Sequence, residues 1–102
     1  MYLVLREDLA YKYIQGGHAL SQYALEHPLE FKEWNNEYLI CLSVFNGLSL
    51  RSVMNNLDAK GFTYSAFVEP DLESELPTAI AIFENGEGYV KEALCKCGMA
   101  TK

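Results

Sequence analysis

Tyr2-Leu3-Val4-Leu5, then Arg6-Glu7-Asp8-Leu9, and then Gln15-Gly16-Gly17-His18-Ala19 form the stretch on which the fold turns. Tyr2 to Leu5 is apolar without a break, which predicts a strand covered on both faces. The charges of Arg6-Glu7-Asp8 end it. From Gln15 to Glu26 the spacing becomes helical: Ala19, Leu20, Tyr23 and Ala24 fall on one face, and Pro28 sets the limit. A buried strand feeding a helix is the opening of an α/β domain.

Working outward, a second helical piece is expected over Leu29 to Trp34, stopped by Asn35-Asn36. Tyr38 to Phe45 (YLICLSVF) carries the strongest strand signal, closed by Asn46-Gly47. Ser49 to Ala59 reads as a helix capped at Ser49 or its neighbour, with Leu50, Val53, Met54 and Leu57 as its stripe and Gly61 as its end. Phe62 to Val68 alternates as a strand does, and Glu69-Pro70-Asp71 breaks it. Thr78 to Phe83 (TAIAIF) is a fourth strand followed by an Asn85-Gly86 turn, and Gly88 to Cys97 a short helix.

The order β-α-β-α-β-β-α predicts parallel neighbours where helices connect strands. The close third and fourth strands should pair antiparallel. The expected fold is therefore α/β, a mixed four-stranded sheet flanked by helices. It occupies residues 1–97 as one domain, with Gly98 to Lys102 as a frayed tail.

The chain has 102 residues, half of them hydrophobic, and a net charge of −6 from 8 Lys+Arg and 14 Asp+Glu. At this size about two-thirds of the unfolded surface is buried, enough for a core without metal or disulfide staples. No apolar run approaches the roughly 18 residues of a membrane span, and Arg6-Glu7-Asp8 interrupts anything resembling a signal peptide. The negative charge argues against broad nucleic-acid wrapping, which needs a basic stripe. Cys41, Cys95 and Cys97 are an odd set that fits a reducing, cytoplasmic setting, and Cys95-Lys96-Cys97 lacks the spacing of a zinc site. No metal and no cofactor is expected.

Two places hold residues suited to chemistry. At the entry to the first helix, Gly16 and Gly17 would let a ligand approach backbone N–H groups, or let the helix pack closely on the sheet. Gln15, His18 and Gln22, spaced i, i+3, i+7, form one polar stripe. Beyond the third strand, Glu69 and Asp71 flank Pro70, where a carboxylate could act as base or orient a water, or simply solvate the turn. Glu73 and Glu75 read as solvated loop residues.

Strand-Arg-Glu-Asp-Leu, a helix opening with Gln15-x-x-His18-Ala19, an acidic turn, and a strand beginning Thr78-Ala79-Ile80-Ala81 together resemble the type II peptidyl-tRNA hydrolase family. The resemblance spans Tyr2 to Phe83 in matching element order. It implies a mixed four-stranded sheet and metal-free cleavage of the ester between a stalled peptide and the tRNA ribose. Residue by residue, the family's Asp-Leu falls on Asp8-Leu9, its glutamine on Gln15 and its His-Ala on His18-Ala19. Its loop acid falls on Asp71 and its threonine on Thr78. The resemblance implies that Asp71 and Thr78 position water while Gln15 and His18 line the site. Where the family has Gly-Lys this chain has Ala10-Tyr11, and Lys12, one residue on, or Arg6 is expected to supply the cation. The later loop reads Glu-Pro-Asp in place of the family's Asp-Ala-Gly.

Two functions are thus expected in competition. One is a compact peptidyl-tRNA hydrolase using Lys12, Gln15, His18, Asp71 and Thr78 on tRNA. The other is a non-catalytic relative that binds a small nucleotide or phosphate, or a protein. There Arg6, Gly16 and Gly17 would hold phosphate and Tyr11, Tyr13 or Trp34 would stack on a base. The resemblance also implies a homodimer.

Overall fold

The computed structural model describes residues 1–70, 76–84, 89–95 and 100–101. Strand β1 (Tyr2–Arg6) leads into helix α1 (Lys12–Glu26) and the short α2 (Pro28–Trp34). Then follow β2 (Ile40–Val44), α3 (Gly47–Ala59), β3 (Ser65–Phe67), β4 (Ala79–Ile82), α4 (Tyr89–Cys95) and β5 (Ala100–Thr101). The sheet order is β3-β4-β1-β2-β5. β1 and β2 are parallel, while β4 runs antiparallel to both β1 and β3. The expected mixed α/β sheet is present, and its close third and fourth strands do pair antiparallel.

The unbroken apolar run of β1 has the reason anticipated for it. Tyr2 and Val4 face one layer with Leu42, Leu50, Val53, Leu57, Ile80, Ile82 and α4. Leu3 and Leu5 face the other with Ala19, Tyr23, Trp34, Ala79 and Ala81. Strand β4 divides by size: isoleucines fill the α3/α4 side, and alanines let α1 come close on the other. Gly16 completes that approach, since a Cβ there would lie 2.7 Å from Leu5 Cδ2. Fully burying a side chain such as Leu5 contributes roughly 1.5–3 kcal/mol.

Several boundaries differ from expectation. Helix α1 begins at Lys12, ahead of Gln15. Helix α3 begins at Gly47, and the cap is Asn46, whose Oδ1 accepts from Ser49 N at 2.9 Å. Ser49 is the capped residue, not the cap. Strand β3 shrinks to Ser65–Phe67 because one flank of it is a sheet edge with no ladder to extend it. Two residues of the expected tail, Ala100 and Thr101, form β5 against Ser43 and Leu42. The open edge of β2 supplies the backbone partners that a frayed end lacks. The Asn85-Gly86 turn and Cys97 lie outside the described residues. No described helix is long and apolar enough to cross a membrane.

Candidate functional site

The strands β1, β2 and β3 all point the same way, and β4 runs back between β3 and β1. Their carboxyl ends, the amino end of β4 and the first turns of α1 and α3 therefore share one rim. The chain leaves β1 toward β2 and is carried by α3 to β3 at the far edge, so the strand order reverses beside β1. Open α/β sheets leave their ligand crevice at such a reversal.

Three polar side chains meet there from distant parts of the sequence. Thr78 Oγ1 lies 3.0 Å from Gln15 Oε1 across 63 positions, and 3.0 Å from the Phe67 carbonyl. Gln15 Nε2 donates to Glu69 Oε2 at 3.3 Å across 54 positions. The single hydroxyl hydrogen of Thr78 serves one acceptor at a time. The Glu69 carboxylate accepts only, so it turns the Gln15 amide with Nε2 toward itself and Oε1 toward Thr78. Thr78 is wholly buried and Glu69 half-buried.

The polar stripe of α1 explains this meeting. Beyond Gln15, His18 stacks on Phe67 with ring centres 4.6 Å apart and planes at 14°. Farther along, Glu26 accepts from Ser65 Oγ and from Gln22 Nε2, both at 2.6 Å. Those two bonds hold the Glu26 carboxyl below its ordinary range. The stripe seats the helix along edge strand β3, and only its first turn reaches the rim.

A second knot fixes Thr78 from the other side. Arg6 grips Asp8 with two parallel bonds, Nε to Oδ1 at 3.0 Å and Nη2 to Oδ2 at 2.8 Å. Its Nη1 donates to the Pro77 carbonyl at 3.1 Å. Thr78 N, in the same peptide plane, donates to Phe67 O at 2.8 Å. Both ends of that rigid plane are therefore held. The Arg6 guanidinium pulls the Asp8 carboxyl below its ordinary value. Gly47 leaves room for the knot: a Cβ there would sit 2.8 Å from Leu76 Cδ1 and 3.0 Å from Arg6 Nη1.

The expected site residues separate accordingly. Gln15 and Thr78 are in contact, and His18 is one turn along on the same face. Asp71 lies outside the described residues, as do Glu73 and Glu75. Lys12 does not reach Gln15. Its Nζ bonds Glu7 Oε2 at 2.9 Å, because the entry of α1 places it over the β1–α1 loop. Arg6 is buried and committed to Asp8 and Pro77, not open to phosphate. Gly16 and Gly17 sit in the second turn of α1, where N–H groups serve the helix's own carbonyls. Gly16 is a packing residue. Tyr11 is the exposed residue before α1, and Tyr13 is also exposed. Trp34 is buried at the opposite end of the sheet, its Nε1 donating to Tyr38 O at 2.7 Å, so it is no stacking platform.

Sequence reasoning gave Glu69 second place to Asp71 and passed over Phe67. A signal for Glu69 existed, since it follows directly on a strand that ends at this rim. None existed for Phe67, whose partner His18 is set by packing. No family model matches the chain, and no curated protein matches it.

Proposed function

We propose that this domain is an ester hydrolase of the peptidyl-tRNA hydrolase kind, acting without a bound metal at Gln15, Glu69 and Thr78. The observation that carries the reading is the convergence of those three side chains, from α1, the end of β3 and the start of β4, at the strand-end rim. The family resemblance supports it at Gln15, His18 and Thr78.

In this mechanism the Glu69 carboxylate takes a proton from water as the water oxygen attacks the ester carbonyl carbon. Gln15 Nε2 has a second hydrogen besides the one given to Glu69, and it meets the developing oxyanion. Thr78 holds the Gln15 amide through Oε1. As the carbonyl–oxygen bond breaks, the proton on Glu69 passes to the leaving ribose oxygen. Lys12 acts as the partner of Glu7 and is not the oxyanion cation.

The test is hydrolysis of a purified peptidyl-tRNA analogue by wild type, Glu69→Gln and Thr78→Val. Loss of a general base predicts a drop of about 100-fold or more for Glu69→Gln. Absence of turnover by folded wild type, or a Glu69→Gln rate within about threefold of it, overturns the proposal.

A further inference from the structure

We propose that the rim beside Gln15 and Thr78 selects its ester by an uncharged, apolar acyl side chain and takes no affinity from phosphates. The inference rests on the hydrolase reading above and adds the class of acyl group.

The rim bears large apolar side chains left in water. Tyr11 is 69% exposed, Ile14 58% and Val68 45%. Their positions tie them to the site. Tyr11 is one helical turn ahead of Gln15, Ile14 one turn ahead of His18, and Val68 lies between Phe67 and Glu69. Across β1, Phe45 and Leu48 stand out from the β2–α3 corner at the same end, 83% and 68% exposed. Large apolar side chains left exposed around one rim mark it as a contact surface.

The charges of the rim point the same way. Among the described residues, the cations of the β1–α1 turn, Arg6 and Lys12, are each paired with a carboxylate at 2.8 and 2.9 Å. A phosphate arriving there would have to displace Asp8 or Glu7, and Glu69 adds a further negative charge beside Gln15. An anionic acyl side chain would be brought up beside these carboxylates. An apolar one covers Tyr11, Ile14 and Val68 and displaces only water.

The experiment uses esters of adenosine with N-acetyl-leucine and with N-acetyl-aspartate, hydrolysed by the whole chain. The expected leucyl preference in kcat/KM is about tenfold or more. Ile14→Ser should bring the two rates within about threefold, whereas Leu25→Ser, an exposed apolar residue at the far end of α1, should leave the preference as it is. Extending the leaving group from adenosine to a short cytidine-cytidine-adenosine strand should change kcat/KM by less than about threefold, because no counterions are released. Equal rates for the two acyl groups, or a gain of about tenfold or more from the added phosphates, overturn the inference. If the peptidyl-tRNA analogue is hydrolysed and neither adenosine ester is, the phosphates are required and the inference falls. If none of the three is hydrolysed, the hydrolase reading fails, and the rim is then judged by binding of the two hydrolysis-resistant amide analogues. Tighter binding of the leucyl amide, with shifts at the Ile14 and Val68 methyl resonances, supports apolar selection; equal binding sinks it.

Discussion

The two ends of the sheet use polar groups differently. At the carboxyl end of β1, Gln15, Glu69 and Thr78 join three elements in a chain of contacts that includes the half-buried Glu69 carboxylate. At the other end a concavity of about 300 Å³ is lined by Met1, Glu33, Trp34, Glu37, Tyr38, Phe83 and Glu84. Its polar groups close the fold: Trp34 ties to Tyr38 O, Tyr2 OH donates to Glu84 Oε2 at 3.2 Å, and Glu84 Oε1 accepts from Val90 N at 3.1 Å, capping α4. That hollow is thus where the architecture is fastened. A site is better marked by side chains converging from distant sequence than by empty volume.

Matched substitutions at the two ends break or sharpen that contrast. Largest in effect is Glu69→Gln, expected to cost about 100-fold or more in ester turnover, while Glu84→Gln leaves turnover within about twofold of wild type. In urea unfolding Glu84→Gln should instead lose about 1–2 kcal/mol, since α4 loses a charge-assisted cap. Turnover falling equally in both variants would erase the distinction between the ends.

Next come the glycines. Gly47→Ala should destabilise by about 1–3 kcal/mol, as its Cβ meets Leu76 and Arg6. It should also lower turnover through the Pro77-Thr78 peptide. A Cβ on Gly17 meets nothing within 4 Å. Gly17→Ala should stabilise by about 0.5–1 kcal/mol, the gain of alanine over glycine inside a helix. Thermal unfolding of the pair decides whether the knot at Arg6 is as tight as its distances indicate.

The pH dependence is smaller. Asp8 has its carboxyl lowered by the Arg6 hydrogen bonds from an ordinary value of 3.8, so its contribution is present above that value and fades as pH falls through the lower folded value. The pair is partly in water, so the effect is at most about 1 kcal/mol. Stability measured from neutral pH down to strong acid should fall more steeply below 3.8 in wild type than in Asp8→Asn. Parallel curves would show that the clamp adds nothing.

Smallest of all, Lys12→Ala should change turnover by less than about threefold, the pair with Glu7 being a surface contact. A loss of about 100-fold would return Lys12 to the reacting centre, the role the sequence resemblance implied for it.

Much of this was legible beforehand at particular residues. The run Tyr2 to Leu5 announced a strand covered twice, and the spacing of Gln15, His18 and Gln22 announced a polar stripe. What the stripe would face was not legible, because its partner strand β3 is recruited by a crossover of α3. The same limit applies to Arg6 and Lys12. Basic side chains beside glycines suggest phosphate, but Asp8 and Glu7 stand within reach once the β1–α1 loop turns back. Trp34 looked available until Tyr38 O was brought to its indole N–H.

By itself the sequence determined the class of the fold, the order of its elements and which residues of α1 would be polar, since these follow from periodicity along a few turns or one strand. Only the tertiary structure decided that Glu69 joins Gln15 and Thr78, that Arg6 holds the Pro77 carbonyl, and that an added strand closes the edge of β2. Contacts across 54 to 71 positions depend on sheet order and crossover direction, which local spacing does not encode.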